Sequence, residues 1–231
     1  MKLLRQQHWH LVTLVTLLGL LYWYTTTHAS MTVGRLWGVS TPKWLVFTSS
    51  IPIIHQVYVL LCWRSELYYR GLSKVLGKHS FRLYKLGFAI LIILRPFSIV
   101  VLAFSNRNTV DIDINTSYVL SGLLTIPVLY LFYSVKTYFG FDRAVGIDHF
   151  YPDRYKHKSF VKQGIFKYTS NSMYIFGFLI LWIPGLLLQS EAAIILALFN
   201  HIYIWAHYYF TELPDIKMIY GEIKNREKTQ L

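Results

Sequence analysis

Cysteine and acidic residues are scarce in this 231-residue chain. The only cysteine is Cys62, and 11 aspartates and glutamates stand against 23 lysines and arginines, for a formal net charge of +12. A single thiol excludes an intrachain disulfide and a thiolate metal cluster. The chain also has no internal repeat and no low-complexity linker. We therefore expect neither a metal site nor a disulfide framework.

Apolar residues, at 54% of the chain, cluster into long blocks with the charges confined between them. A helix that crosses a bilayer needs about 20 apolar residues. Irregular backbone cannot lie in lipid, because its polar groups would have no partners there. Six stretches have a suitable length and composition, at residues 11–29, 45–63, 84–104, 117–136, 172–188 and 192–210. The sequence therefore predicts an all-α, polytopic membrane helix bundle with about six transmembrane helices.

The positive charge is distributed unevenly between the predicted loops. Of the 23 basic residues, 19 lie before the first span, in the second and fourth loops, or after the last span. Loops rich in lysine and arginine mark the cytoplasmic side. The pattern predicts a multi-pass integral membrane protein with both termini in the cytoplasm and contacts with anionic lipid headgroups. It argues against a nucleic-acid partner and leaves the oligomeric state open.

Tryptophans and tyrosines gather near the ends of the first two predicted spans. Such residues are typical of an aromatic belt at the membrane interface. The residues concerned are Trp9, Tyr22, Trp23, Tyr24, Trp37, Trp44 and Trp63. We interpret them as membrane anchors without a chemical role.

Arg95 lies near the middle of the third predicted span and is followed by Pro96. An arginine inside a membrane is costly, so it faces a cavity or a partner. It is a candidate counter-charge for a phosphate or carboxylate drawn into the bundle. A structural ion pair, or a register that brings Arg95 closer to an interface, is the alternative.

The sixth predicted span carries a polar stripe. Asn200, Tyr203 and His207 fall at positions i, i+3 and i+7, on one helix face. Polar groups on an apolar membrane helix turn inward, toward a cavity or toward one another. Glu212 follows just beyond this stripe, where a carboxylate would suit a cationic cofactor. Packing between helices would explain a single histidine or asparagine, but less easily a whole stripe.

The fourth loop, residues 137–171, combines glycines with aromatic residues and includes Asp148 and His149. Glycine allows a close backbone approach to a ligand, and an aromatic ring can stack on a flat group. We interpret the loop as a binding surface, with a cytoplasmic cover held by interfacial aromatics as the alternative.

A set of short motifs spans residues 136–221 and resembles a known superfamily. The matching residues are Gly164, Phe166, Asn171, Tyr174, Glu212, Tyr220 and Gly221, with Tyr138-Phe139-Gly140 upstream. Their order and spacing resemble the carboxy-terminal half of the membrane S-adenosylmethionine-dependent methyltransferases. That superfamily includes the phospholipid (phosphatidylethanolamine) N-methyltransferases and the isoprenylcysteine carboxyl methyltransferases. The chain departs from the usual pattern at Ser170, Ser172 and Leu213, where the superfamily often has arginine, proline and a second glutamate.

The resemblance implies that S-adenosylmethionine is the cofactor and divides the chain in two. Residues 1–135 would be amino-terminal transmembrane helices (spans 1–4), and residues 136–231 the methyltransferase-like part. It implies that Glu212 holds the ammonium group, Asn171 or backbone amides the carboxylate, and Tyr168 or Tyr174 the adenine or sulfonium. The complete expected cofactor set is Gly164, Tyr168, Asn171, Tyr174, Gly177, Glu212 and Tyr220.

The expected reaction is methyl transfer to a membrane-embedded acceptor, for which we favour a lipid amine. An amine must lose a proton before it can attack, and the candidates by residue type are Asp148, His149 and His207. Arg95, Asn200 and Tyr203 are the expected substrate contacts. A carboxylate acceptor would need no base.

Other classes of membrane protein fit less well. The histidines are not spaced as the boxes of a di-iron hydroxylase, and the aspartates do not form the array of a phosphatidyltransferase. A small-molecule transporter would use Arg95 and the polar stripe, but no internal repeat supports alternating access. The remaining alternative is a non-catalytic membrane protein on a methyltransferase-like scaffold, which the departures at Ser172 and Leu213 would permit.

Overall fold

The computed structural model describes residues 2–229 and, at the level of side chains, residues 2–221. The chain is 81% helical with almost no sheet, so the predicted all-α class is confirmed. The α-helices are α1 Gln7–Thr27, α2 Thr41–Tyr69, α3 Gly71–Leu76, α4 Ser80–Ser105, α5 Ile114–Ser134, α6 Phe141–Ala144, α7 Ile147–Phe150, α8 Pro152–Tyr155, α9 Ser172–Gly177, α10 Trp182–Leu187, α11 Glu191–His207 and α12 Leu213–Thr229. Two short antiparallel strands, β1 Arg35–Leu36 and β2 Val39–Ser40, form a hairpin between α1 and α2.

Four helical segments of the described chain are long and apolar enough to cross a membrane. They are Thr41–Tyr69, Gly71–Ser105, Ile114–Phe139 and Glu191–Gly221. They contain four of the six predicted spans and indicate an integral membrane protein. The other two predicted spans fall on α1, which has 21 residues, and on Ser172–Leu187, a shorter apolar segment that a 3₁₀ turn at Phe178–Leu181 divides. A count of six spans is therefore not confirmed.

The loops collect at two opposite ends of the bundle. At one end, which we call the Asn106 end, residues 30–33, 105–112 and 188–192 are joined by the side chain of Asn106. At the other, which we call the Arg64 end, Arg64 joins residues 3–5 to residues 210–215. The start of the chain and the end of the last long apolar segment thus lie on the same side of the bundle.

The centre of the bundle is α11, which packs against α1, α2, α4 and α10. One face of α11 carries small residues, and Ala192, Ala193 and Ala197 are completely buried. Small side chains let helix backbones approach closely, which is the main source of packing energy when the surroundings are lipid. The predicted boundary at residues 135/136 falls within a π-helical turn, Val135–Phe139, at the end of α5.

The aromatic residues at the predicted span ends separate into two groups. Trp9, Trp23 and Trp37 are 54%, 59% and 75% exposed, as anchors facing lipid and headgroups would be. Trp63 is 5% exposed and donates a hydrogen bond from Nε1 to the Tyr84 hydroxyl at 2.7 Å. Its interpretation as a membrane anchor is wrong, because helix packing turns it into the protein.

Candidate functional site

The junction between α11 and α12 sets the geometry of the site. After His207, the helix widens into a π turn, Tyr208–Glu212, and continues as α12. Pro214, the second residue of α12, has no N–H and cannot continue the α-helical ladder behind it. A π turn inserts one residue and is frequent at functional sites. Here it carries the chain from His207 to Glu212.

Glu212 and Tyr174 are brought together by this turn and by α9. The Tyr174 hydroxyl donates a hydrogen bond to the Glu212 carboxylate, which is half-buried. The Tyr174 ring lies 6.0 Å from the Trp205 ring and 5.7 Å from the Tyr208 ring, measured between centroids. A carboxylate beside several aromatic faces is an arrangement that attracts an organic cation.

A cavity of about 390 Å³ lies beside this pair, between α2, α4, α5, α9 and α11. Such a volume is within the range of roughly 300–1,000 Å³ typical of ligand pockets. Four predicted site residues line it, namely Arg95, Tyr174, Gly177 and His207. Most other lining residues are apolar, and they include Val59, Phe88, Ile92, Pro96, Leu131, Phe132, Val135, Phe141, Phe178, Leu181 and Ile204.

Several buried polar atoms around the cavity have no hydrogen-bond partner among the described residues. They are both ring nitrogens of His55, Nε of Arg95 and Nδ1 of His207. Arg95 is 3% exposed, donates one hydrogen bond to the Pro52 carbonyl at 3.2 Å, and packs on the Phe178 ring. Buried polar groups without partners are rare in proteins, and each requires an explanation.

No aspartate or glutamate lines the cavity in the part of the chain that has described side chains. Arg95 also takes part in no ion pair there. Its interpretation as half of a structural ion pair is therefore not supported. An uncompensated guanidinium in an apolar cavity instead favours an anionic group as the ligand.

Asp148 and His149 lie beside the cavity, behind Trp63. Gly146 has φ +84°, and a Cβ there would collide with the Trp63 ring, so glycine is required where the loop passes it. The His149 ring then stacks on Trp63 with centroids 4.0 Å apart. Asp148 accepts hydrogen bonds from His149 Nδ1 at 3.0 Å and from the Tyr220 hydroxyl at 3.0 Å. This joins the fourth loop to α12.

Burial and pairing act in opposite directions on these two groups. Burial alone would raise the pKa of Asp148, but the His149 charge and the hydrogen bonds from His149 and Tyr220 lower that pKa below its usual value. Burial alone would lower the pKa of His149, but the Asp148 carboxylate outweighs it and the pKa is raised. Both shifts favour the charged forms, the Asp148 carboxylate and the His149 imidazolium.

Other predicted residues lie away from the cavity lining. Tyr203 is buried and its hydroxyl contacts His10 Nε2 at 3.0 Å, while Asn200 donates to the Leu196 carbonyl at 2.8 Å. Asn171 caps α9 through its backbone carbonyl. Tyr168 is 67% exposed. Gly164 has φ +58°, and a Cβ there would collide with Ser134 and the Tyr138 ring, so packing already explains this glycine.

His55, Gln56 and Trp63 also line the cavity but were not among the residues predicted for the site. The first two are polar residues in the middle of the predicted 45–63 span, and the reasoning applied to Arg95 would have found them. Trp63 carried no comparable signal, because tryptophan is common at the ends of membrane helices.

The residues present fit the cofactor that the resemblance implies. S-adenosylmethionine carries a sulfonium, an ammonium and a carboxylate. Glu212 and its surrounding aromatic rings suit the cationic groups, and Gly177 lets the backbone of α9 border the cavity, where a Cβ would contact Leu131 at 3.0 Å. The unpartnered Nδ1 of His207 lies on the same cavity wall.

Among known protein families, the model of the phospholipid methyltransferase family matches residues 116–223 of this chain. No curated protein and no solved structure matches this chain. The matched segment contains α9, α11, the π turn and every predicted cofactor-binding residue. The resemblance of this chain to the membrane methyltransferase superfamily, predicted from residues 136–221, is thereby confirmed by the phospholipid methyltransferase match.

Proposed function

We propose that this protein transfers a methyl group from S-adenosylmethionine to a membrane-embedded acceptor, and that the acceptor is a lipid amine. The family match over residues 116–223 supports a membrane methyltransferase. The observation that carries the finer proposal is the Tyr174–Glu212 pair beside a cavity where several buried nitrogens have no hydrogen-bond partner among the described residues.

The cofactor would lie where the aromatic rings meet Glu212. When bound, S-adenosylmethionine supplies a methyl group on a positively charged sulfur. Glu212 would pair with the ammonium group, and Tyr174, Trp205 and Tyr208 would face the cationic sulfur or the adenine. The amide of Asn171 would bind the carboxylate. Roles for Gly164, Tyr168 and Tyr220 at the cofactor are proposed from the motif alone.

The acceptor would enter sideways from the lipid. Phe132 and Phe141 line the cavity but are 50% and 56% exposed, and Ile92 is 38% exposed, so the wall between α4 and α5 is open to the surroundings. An apolar chain fits this wall, and Arg95 would bind an acidic group of the same molecule. Tyr203 would act through Gln56, which donates to its carbonyl at 3.2 Å and lines the cavity. Asn200 does not line the cavity, and its substrate role is proposed from the helix face alone, with an Oδ1 that has no hydrogen-bond partner among the described residues.

The chemistry requires a neutral amine at the moment of attack. His207 is the best-placed proton acceptor, because its Nδ1 has no other described partner and it lines the cavity. The Asp148–His149 pair would act from behind Trp63 by holding Tyr220 and α12. Burial of the cavity would keep water from competing for the methyl group.

We also propose that the Arg64 end faces the cytoplasm. The loops of residues 64–85 and 136–167, which carry most of the basic residues, lie at this end together with the start of the chain. Loops rich in lysine and arginine stay on the cytoplasmic side. A soluble cofactor would then reach Glu212 directly.

The first test is calorimetric binding of S-adenosylmethionine to the detergent-purified protein, with Glu212→Ala and a matched control. The chain offers that control in Glu191, which accepts a hydrogen bond from the Tyr24 hydroxyl at 2.7 Å near the opposite end of α11. We expect Glu212→Ala to weaken binding about 10- to 100-fold, since a hydrogen bond to a charge contributes about 1.5–3 kcal/mol. Glu191→Ala should bind like the wild type.

Transfer of a labelled methyl group into extracted membrane lipids then identifies the acceptor. Binding without transfer into any lipid would favour the non-catalytic scaffold. A folded wild-type protein that does not bind S-adenosylmethionine would contradict the proposed function.

A further inference from the structure

The π turn Tyr208–Glu212 is followed by Pro214, so one backbone N–H donor is missing where the helix continues. In a regular helix the Phe210 carbonyl would accept from the N–H of residue 214, but that residue is Pro214 and has none. A buried carbonyl without a partner costs free energy comparable to a lost hydrogen bond. Side chains from outside this helix donate to the carbonyls of Phe210 and Thr211 instead.

Arg64 on α2 supplies most of these donors. Its side chain is completely buried, and Nη2 donates to the carbonyls of Phe210 at 2.9 Å and Thr211 at 3.4 Å. Its Nε donates to the Asp215 carboxylate at 3.3 Å. One guanidinium thus holds the chain on both sides of Glu212.

The amino-terminal segment completes the arrangement. Nη1 of Arg64 donates to the carbonyls of Leu3 at 3.0 Å and Arg5 at 2.7 Å. Gln7 then donates from Nε2 to the Phe210 carbonyl at 2.8 Å and to the Thr211 hydroxyl at 3.2 Å. The start of the chain is therefore attached to the same turn, by direct bonds and through Arg64.

We propose that Arg64 is a positioning residue that acts through the π turn to hold the Glu212 carboxylate against Tyr174, with Gln7 as a second donor. Arg64 is completely buried, does not line the cavity and directs its guanidinium at acceptors within the protein, so it is not itself a ligand contact. Its planar fork reaches five acceptors in two chain segments, which the three donors of a lysine ammonium cannot do. The proposal rests on the proposed function for its consequence, but the positioning itself is a property of the protein without ligand.

The test compares Arg64→Lys, Gln7→Leu and the control Asn106→Ala. Asn106 is an equally buried hub that makes five side-chain hydrogen bonds at the opposite end of the bundle. Two quantities are measured for each folded variant: the dissociation constant for S-adenosylmethionine and the hydrogen-exchange protection of the amide hydrogens in residues 211–217, all of which except Pro214 have one. Melting temperature is recorded to separate stability from position.

We expect Arg64→Lys to weaken binding about tenfold or more and to lose amide protection at the turn. Gln7→Leu should do the same to a smaller degree, and it decides the outcome if Arg64→Lys does not fold. Asn106→Ala should lower the melting temperature while changing neither quantity.

Unchanged protection of amides 211–217 in Arg64→Lys and Gln7→Leu would overturn the proposal, as would wild-type binding in these two variants. If the wild type itself does not bind S-adenosylmethionine, the proposed function fails, and amide exchange alone still decides whether Arg64 positions the turn.

Discussion

The two ends of the helix bundle are built around comparable buried hubs, but they differ in charge. At the Asn106 end one neutral amide joins three segments, and its nitrogen and oxygen both have partners. At the Arg64 end the hub is a charged guanidinium paired with Asp215. Nearby, His149 Nε2 and His207 Nδ1 have no hydrogen-bond partner among the described side chains.

Groups that only hold helices together can all find partners within the protein, whereas a binding site leaves some buried polar groups without one. A neutral hydrogen-bond network in which every group has a partner stabilises a fold. Buried charges and unpaired donors lower its stability unless a ligand pairs with them. The cavity beside the Arg64 end contains the costly kind. The unpartnered nitrogens lie beside the Arg64 end, where the proposed site is, whereas the unpartnered atoms near the Asn106 end are the uncharged hydroxyls of Ser117 and Ser121.

The largest expected effect comes from Arg95, the uncompensated charge in the cavity. Arg95→Met should lower turnover about 100-fold by removing a charge-assisted contact with the acceptor. The same change should leave the fold equally stable or stabilise it by up to about 1–4 kcal/mol, because a buried charge is replaced by an apolar side chain of similar volume. Methyl transfer and thermal unfolding in detergent measure the two quantities.

A large loss of stability in Arg95→Met would contradict this interpretation, since it would show that Arg95 is structural. Phe97→Leu is a suitable control on the same helix, because Phe97 is 53% exposed and does not line the cavity. It should change neither quantity.

At the other end, Asn106→Ala should reduce the free energy of unfolding by about 2–4 kcal/mol, because it leaves several buried groups without partners. Those groups include the carbonyl of Ser30 and the N–H of Ala192, whereas the Val33 carbonyl would keep the Thr41 hydroxyl as a donor. Equilibrium unfolding checks the value. A loss of methyl transfer per folded molecule in this variant would contradict the expectation that the Asn106 end affects stability and not activity.

The Asp148–His149 pair should make the stability of the Arg64 end depend on pH. The raised pKa of His149 means that its contribution is present below its usual value of 6.5 and is lost as the pH rises through the raised value. The lowered pKa of Asp148 means that its contribution is present above its usual value of 3.8 and is lost as the pH falls through the lowered value. The pair should therefore stabilise the protein most between about pH 4 and 6.5.

Melting temperature measured from pH 4 to 9 tests this expectation. The difference between the wild type and an Asp148→Asn, His149→Gln double variant should be largest in that interval and should shrink above it. Asn106→Ala should instead lower the melting temperature by about the same amount at every pH. A constant offset for the double variant would show that the two groups are not held as an ion pair.

The smallest effects concern two glycines. Gly164→Ala should destabilise the protein by about 1–3 kcal/mol, because φ is positive and the new Cβ has no room. Gly122 on α5 has open space around it, so Gly122→Ala should stabilise the helix by up to about 1 kcal/mol. Thermal unfolding compares them. If Gly164→Ala also weakens cofactor binding in the folded protein, Gly164 has the cofactor-binding role that the motif implies as well as its packing role.

Much of the candidate site could be predicted from residue type and spacing. Arg95 was found because a charge in an apolar stretch needs an explanation, and the structure places it on the cavity. His207, Tyr174 and Glu212 were found from the helix face and the motif order, and they lie close together. His55 and Gln56 carried the same kind of signal as Arg95, so their omission was avoidable.

Other parts could not be predicted because they depend on contacts between distant segments. Nothing local distinguishes Trp63 from the anchoring tryptophans, yet its packing against Tyr84 and His149 turns it inward. Asn200 and Tyr203 share a helix face with His207. That face contacts α1 and α2 at Tyr203 and reaches the cavity only at His207. Nothing in the sequence distinguishes Arg64 from the other basic residues of the second predicted loop, because its five acceptors lie far away along the chain.

The sequence by itself determined the all-α class, the long apolar segments of an integral membrane protein and the methyltransferase resemblance. These follow from the cost of exposing backbone to lipid and from motifs within short stretches of chain. Only the tertiary structure decided which polar residues share a cavity, which tryptophan is buried, and how Arg64 holds the turn beside Glu212. Those outcomes depend on which helices pack together, and the partners that satisfy a buried charge are not neighbours in the sequence.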